Sequence, residues 1–283
     1  MMVRPERGLY RWIRSLRDKD ITQQSFNNSE VGTSSTQPRS SSSAEAYGLF
    51  EFPLRSGQAA LPSLPVDAQY VDIIAVHGLG GGWQRTWSTQ NGDETAIWLR
   101  DRLPAILSRI NVRPRVRAFG YDSSYVFTSS ASNLKSCAED LLTRVRIARH
   151  AEKEKQAPII FVAHSLGSLI IKLAINIAHT DNEYHQDVLD KTTGCLFLAV
   201  PFHGADAALW AKLGSQIVST LSLGMAGNPG FPSALKRNSK DWMKISRDFV
   251  QRGKNMTFRS AYETEKMGRS RVRDPIFSSS QVY

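Results

Sequence analysis

The amino-acid sequence predicts an α/β fold: a mostly parallel sheet with helices on both of its faces. Three observations lead there. From about residue 70, short apolar segments alternate with amphipathic helical stretches, the order expected when both faces of a parallel sheet are covered. At 283 residues and 41% hydrophobic, the chain is long enough to bury a sizeable core. The unusual turns, "HGLGGG" (77–82) and "HSLG" (164–167), directly follow strand-like runs. That places them at the carboxyl edge of such a sheet, where ligands bind.

The chain opens with "VRPERGLYRWIRSLR" (3–17). On a helical projection Arg4, Arg7, Arg11 and Arg14 share one side, and Leu9, Trp12, Ile13 and Leu16 lie opposite. Residues 1–20 are therefore read as a basic amphipathic segment, suited to peripheral membrane contact or organelle import. Glu6, Asp18 and Asp20 count against a transit peptide, and Gly8 weakens the helix. Residues 21–47, rich in Ser, Gln and Asn, bury little and read as a disordered linker.

The folded domain is bounded at 48–265. Strand 70–76 is followed by a helix over 95–110, with Trp98, Leu99, Leu103, Ile106 and Leu107 on one side. Then come strand 112–121, a helix across 132–150, strand 158–163 and a helix from Leu166. Strand 194–200, helical stretches near 205–222 and 233–251, and a strand at 255–262 complete the order. Residues 266–283 form a basic tail without that pattern.

Composition narrows the function classes. The net charge of +10 is uneven, with 12 Lys/Arg against 5 Asp/Glu in residues 236–283. No zinc ligands, recognition-helix pattern or stacking aromatics accompany it, so no nucleic-acid partner is expected. Cys137 and Cys195 are too few for a disulfide framework and lack metal-ligand spacing. They are expected as buried thiols in a reducing, intracellular compartment, and neither metal nor cofactor is expected. Lys172 and Asn176 interrupt the longest apolar run, so no bilayer-spanning helix is predicted.

The chemistry centres on "IIFVAHSLGSLIIKLAINIA" (159–178). After Ser165, the residues Leu166, Leu169, Ile170, Leu173, Ala174 and Ile177 recur at helical spacing. A strand turning at once into such a helix leaves little room at the corner. The nucleophile-elbow pattern G-x-S-x-G meets this with small residues two before and two after the serine. Here Ala163 stands for the first Gly, followed by His164, Ser165, Leu166 and Gly167. The expectation is a serine hydroxyl lifted clear into a cleft, as the nucleophile of a serine hydrolase.

An acyl-transfer intermediate needs two N–H donors aimed at its oxyanion. Leu166, directly after the serine, supplies one, and Leu79 of the glycine loop is expected to supply the other. His77, Gly78, Gly80, His164 and Gly167 support the site. A phosphate cradle is the rival use of such a loop, but G-x-x-x-x-G-K-[ST] is absent and G-x-G-x-x-G fails at Trp83. The plain alternative is a buried strand-to-helix connection with small residues where space is short.

The segments "VDIIAVHGLGGGWQRTW", "WLRDRLP", "AFGYDS", "IIFVAHSLGSLIIKLAI", "LFLAVPFHGAD" and "SAYETE" together resemble the serine-esterase family of α/β-hydrolases. That family includes serine active site-containing protein 1 and GPI inositol-deacylase-like lipases, and the likeness is nearest to lipase-like N-terminal domains of fungal immune-receptor-type proteins. The resemblance covers roughly residues 48–265. It implies an α/β-hydrolase fold and hydrolysis of an ester, in a lipid, by a Ser–acid–His triad. It also implies association with mitochondria or endoplasmic reticulum, with the cytoplasm as the alternative.

Carried over residue by residue, Ser165 matches the nucleophile and Leu166 the oxyanion donor. Glu263 matches the acid that follows a late strand, with Glu265 second. The family's catalytic His comes after one further strand, and this sequence has no histidine beyond His203. The last strand and His loop are thus missing from the pattern. His203 in "PFHG" lies at the correct edge, where the family carries a His besides its catalytic one; the resemblance implies a supporting role there, and the substitute base is the reading to test. The alternative function is a catalytically impaired signalling or lipid- or protein-binding module of the same fold.

Overall fold

Ile73, Ile74, Ala75 and Val76 are all buried, with Ile74 and Val76 in one core and Ile73 and Ala75 in the other. A strand buried on both faces belongs in the middle of a sheet. The computed structural model, which describes residues 47–52, 69–91, 94–128, 131–199 and 230–261, places it there.

The sheet comprises β1 (Gly48–Glu51), β2 (Gln69–Val76), β5 (Val112–Gly120), β6 (Ile159–His164), β7 (Thr192–Leu198) and β8 (Thr257–Ala261). Their order is β1-β5-β2-β6-β7-β8, with β1 antiparallel to β5 and every other pairing parallel. The chain leaves β2 for β5 on one side and returns to β6 on the other. The carboxyl ends of β2 and β6 therefore flank the point where the winding reverses, the usual ligand crevice of an open α/β sheet. Among the described residues β8 is the last strand on its side.

The helices are α1 (Trp98–Asp101), α2 (Leu103–Ser108), α3 (Ser123–Thr128), α4 (Ala131–Ile147), α5 (Glu152–Gln156), α6 (Gly167–Thr180), α7 (Asn182–Lys191) and α8 (Gly230–Arg252). Leu141 and Val145 of α4, Ile170 and Ala174 of α6, and Trp242 and Phe249 of α8 share a core with Ile74, Val76 and Phe161. The second core joins Trp87, Ile97, Leu99, Leu103 and Leu107 to Ile73, Ala75, Ile160 and Val162. Cys137 and Cys195 are free and buried, and burial pushes the Cys137 thiol up to about 12.

The helix expected over 95–110 is a correction. β3 (Ser88–Asn91) and β4 (Glu94–Ile97) pair as a separate hairpin, and helix begins only at Trp98. The Asn91–Gly92 dipeptide is a hairpin signal, and Thr95 and Ile97 are β-branched. Pro104 in the first turn of α2 has no N–H to continue α1, so the helix is broken in two. β1, α3 and α5 are further elements beyond the expected order. The segment 1–20, the stretch near 205–222 and the tail 266–283 lie outside the described residues, as do residues 21–46 of the linker.

At the amino-terminal half of β2, Asp72 is fully buried among arginines. Arg115 donates to both of its oxygens, at 2.7 and 2.9 Å, and Arg149 donates to Oδ2. Arg117 lies 3.5 Å from Oδ1 and reaches Glu51 on β1 at 2.8 Å. This cluster ties β1, β5 and β2 together away from the ligand edge. Among the described residues no helix is long and apolar enough to cross a membrane.

Candidate active site

β6 ends at His164 and α6 begins at Gly167, so Ser165 and Leu166 alone make the connection. A turn that tight requires a left-handed residue, and Ser165 has φ of 52°. For a side-chain-bearing residue this costs about 1–2 kcal/mol. Fixed hydrogen bonds hold it: the Ser165 N–H donates to the Leu198 carbonyl at 2.8 Å, and the Ser165 carbonyl accepts from the Ser168 N–H at 3.0 Å. Gly167 is required by space, because a Cβ there would run into the His77 carbonyl oxygen and lie 2.6 Å from that of Val76.

The loop after β2 packs against this corner. A Cβ on Gly78 would come within 2.8 Å of the His164 carbonyl oxygen and 2.9 Å of the Ser165 Cβ. Only glycine permits that approach. Within the loop, the Gly80 N–H donates to Ser123 Oγ at 3.0 Å, Gly81 N–H to the Gly78 carbonyl at 3.1 Å, and Gly82 N–H to Thr86 Oγ1 at 3.1 Å. No such bond engages the amides of Leu79 and Leu166 among the described residues. The amides of Gly78 and Gly167 have no such bond either. Gly80 itself takes φ of 66°.

His77 is 1% exposed and stacks on Tyr121 with ring centroids 4.3 Å apart. Its Nδ1–H donates to the Gly78 carbonyl at 2.9 Å, and its own carbonyl accepts from the Tyr121 hydroxyl at 2.7 Å. Burial lowers its pKa to about 4, with Arg85 and His164 adding to the effect. Burial lowers the pKa of His164 as well. His77 is neutral at neutral pH and braces the base of the loop.

The expectation of an open hydroxyl is corrected. Ser165 is only 5% exposed, and its Oγ is buried without a hydrogen-bond partner among the described residues. The corner does place the serine at the strand tip, but Gly78 packs directly on its Cβ. A tight turn specifies the backbone of the elbow and leaves open what packs over the side chain. Neither His77 nor His164 is bonded to Ser165. His203, Glu263 and Glu265 lie outside the described residues.

Sequence reasoning passed over four contributors. Tyr121 and Ser123 follow β5 and reach the glycine loop, a role their place at the carboxyl end of a neighbouring strand would have signalled. Arg85 donates to the Gly80 carbonyl and, at 3.3 Å, to that of Gly81. Ala199, at φ 57°, is a second strained residue, its N–H donating to the Ala261 carbonyl at 2.7 Å. Beside the loop lies an open groove of about 590 Å³, lined by Trp83, Gln84, Arg85, Ile97 and Arg100 among others.

Residues 73–264 match the family described as "Putative serine esterase (DUF676)". Protein SERAC1 of Homo sapiens is 27% identical over 168 residues, 52% of this chain and 23% of that protein. Protein SERAC1 of Danio rerio is 27% identical over 149 residues, 47% of this chain and 22% of that protein. The chain therefore spans less than a quarter of the length of these relatives. No solved structure matches the chain significantly.

Proposed function

This chain belongs to the serine-esterase family, and on that premise we propose that it hydrolyses a carboxylic ester of a lipid with Ser165 as nucleophile. The observation that carries the proposal is the left-handed Ser165 between β6 and α6, packed against a glycine loop at the winding reversal of the sheet. Ser165 Oγ attacks the ester carbonyl carbon and gives its proton to a base. The carbonyl oxygen takes the charge and is met by the Leu79 and Leu166 amides. The intermediate collapses, the alcohol leaves with the proton, and water releases the acid from the acyl-enzyme by the same steps.

His203 is the proposed base and Glu263 the acid that orients it. In the chain they follow β7 and β8, whose carboxyl ends lie at the same edge as the elbow. The basic amphipathic segment 3–17 favours a substrate drawn from a membrane surface, by peripheral contact, at mitochondria or endoplasmic reticulum.

A second reading has its own support: the buried, unpartnered Ser165 hydroxyl fits a module that binds lipid or protein without turnover. A fluorophosphonate probe separates the two. The hydrolase predicts labelling and ester turnover that Ser165→Ala abolishes. A Ser165 that stays unlabelled, with turnover at the uncatalysed rate, overturns it.

A further inference from the structure

We propose that Arg85 is a positioning residue that holds the glycine loop in the shape required for oxyanion binding, an inference that rests on the hydrolase reading. Residues 78–82 include four glycines, a segment with wide backbone freedom. Oxyanion stabilisation works only when donors are in place before charge develops. Something must therefore restrain this loop.

The guanidinium of Arg85 does so by gripping two successive carbonyls, those of Gly80 and Gly81. Each gripped carbonyl belongs to the same peptide group as a bonded amide. The Gly80 carbonyl shares its peptide with the Gly81 N–H, which donates to Gly78, and the Gly81 carbonyl with the Gly82 N–H, which donates to Thr86. A cation at the oxygen polarises the peptide and strengthens the bond its nitrogen donates. One side chain thereby tightens both turns of the loop.

The clamp is itself anchored. Arg85 opens the 3₁₀ turn Arg85–Trp87, and Trp87 is buried in the core, edge-on to Trp98 with centroids 6.4 Å apart. Arg85 is exposed and makes no ion pair with a carboxylate among the described residues. Among the described residues its side chain makes no hydrogen bond other than those to the loop, so replacing it breaks few other contacts.

The experiment compares wild type, Arg85→Lys and Arg85→Met in hydrolysis of p-nitrophenyl butyrate, with amide hydrogen exchange of residues 79–82 measured in parallel. Loss of loop geometry should lower kcat in Arg85→Met by about 10- to 100-fold with KM changed less than about twofold. Lysine, which cannot fork to two carbonyls, should recover part of the loss. Exchange at 79–82 should rise about tenfold or more, with that of α6 unchanged. An unchanged kcat, or a defect confined to KM, overturns the proposal; the latter would make Arg85 a substrate contact of the adjoining groove. A wild type inert toward the ester overturns the hydrolase reading alone, and the exchange rates then decide the clamp by themselves.

Discussion

Replacing Ser165 by alanine should stabilise this protein. The Ser165 hydroxyl is buried and has no hydrogen-bond partner among the described residues. Leaving such a group unpaired costs about 1–3 kcal/mol relative to water. Alanine keeps the Cβ against Gly78 and the backbone at φ 52°, so the change isolates the oxygen atom. At about 2–4 °C per kcal/mol for a domain of this size, the melting temperature should rise by roughly 2–12 °C. Ser165→Gly adds relief of the left-handed strain, about 1–2 kcal/mol, against about 0.5–1 kcal/mol of extra chain entropy and the loss of the Cβ contact. The expected order of stability is Ser below Ala, with Gly close to Ala. Thermal melts by circular dichroism, run beside fluorophosphonate labelling, make the test. An alanine variant that melts at or below wild type would mean that the hydroxyl is already bonded, and the idea of an unpartnered hydroxyl would have to be abandoned.

Burial depresses His77 from 6.5 to about 4, so the unfolded chain takes up a proton there before the folded protein does. Its contribution to stability is complete above pH 6.5 and is lost as the pH falls toward 4. Urea unfolding at pH 7 and pH 4.5 should show wild type losing about 2 kcal/mol more than His77→Gln over that interval. Asp72→Asn leaves the buried Arg149 without its anion and should destabilise by about 3–5 kcal/mol, measured by the same unfolding; a loss under about 1 kcal/mol would show the cluster to be solvated. Ala199→Gly should raise the melting temperature by a few degrees, because it relieves a left-handed backbone at little packing cost. Ser123→Ala removes the acceptor for the Gly80 N–H and should speed fluorophosphonate labelling of Ser165 by several-fold if the loop must lift to admit a substrate; slower labelling would show that the bonded loop is the open form.

Much of the sheet was legible because β2, β6 and β7 are apolar runs bounded by turns, which is what burial on both faces demands. The elbow was legible for a related reason: a strand meeting a buried helix within two residues forces small residues around Ser165, and they are present in order. The hairpin at 88–97 was not, since the apolar spacing of its second strand merges with that of the following helix and only Asn91–Gly92 marks the difference. β1 has four residues and acquires strand character only by pairing with β5. The Asp72 cluster draws arginines from β5 and from the turn after α4, so no local pattern announces it. The cover over Ser165 is likewise a matter of packing between the β2 and β6 loops.

Three side-chain-bearing residues among those described take positive φ: Asn111, Ser165 and Ala199. Asn111 lies in the turn before β5, at the amino edge, where asparagine tolerates this conformation through its own short polar side chain. The other two stand at the carboxyl edge, one residue past the ends of β6 and β7. They are also connected: the Ser165 N–H donates to Leu198, and the next residue, Ala199, donates to Ala261 at the end of β8. A line of bonds therefore runs across three strand ends and holds two costly backbones in place. Strain of this kind persists only where the surroundings over-determine it, and it gathers where geometry matters more than stability. A structural connection would relax by taking glycine at 165 or 199, or by bonding the hydroxyl. This chain does neither, and it packs the unrelaxed corner against a glycine loop whose own amides are held by hydrogen bonds. The strained serine corner and the bonded glycine loop are then two fixed elements facing each other, which is the arrangement the proposed nucleophile and oxyanion site would require.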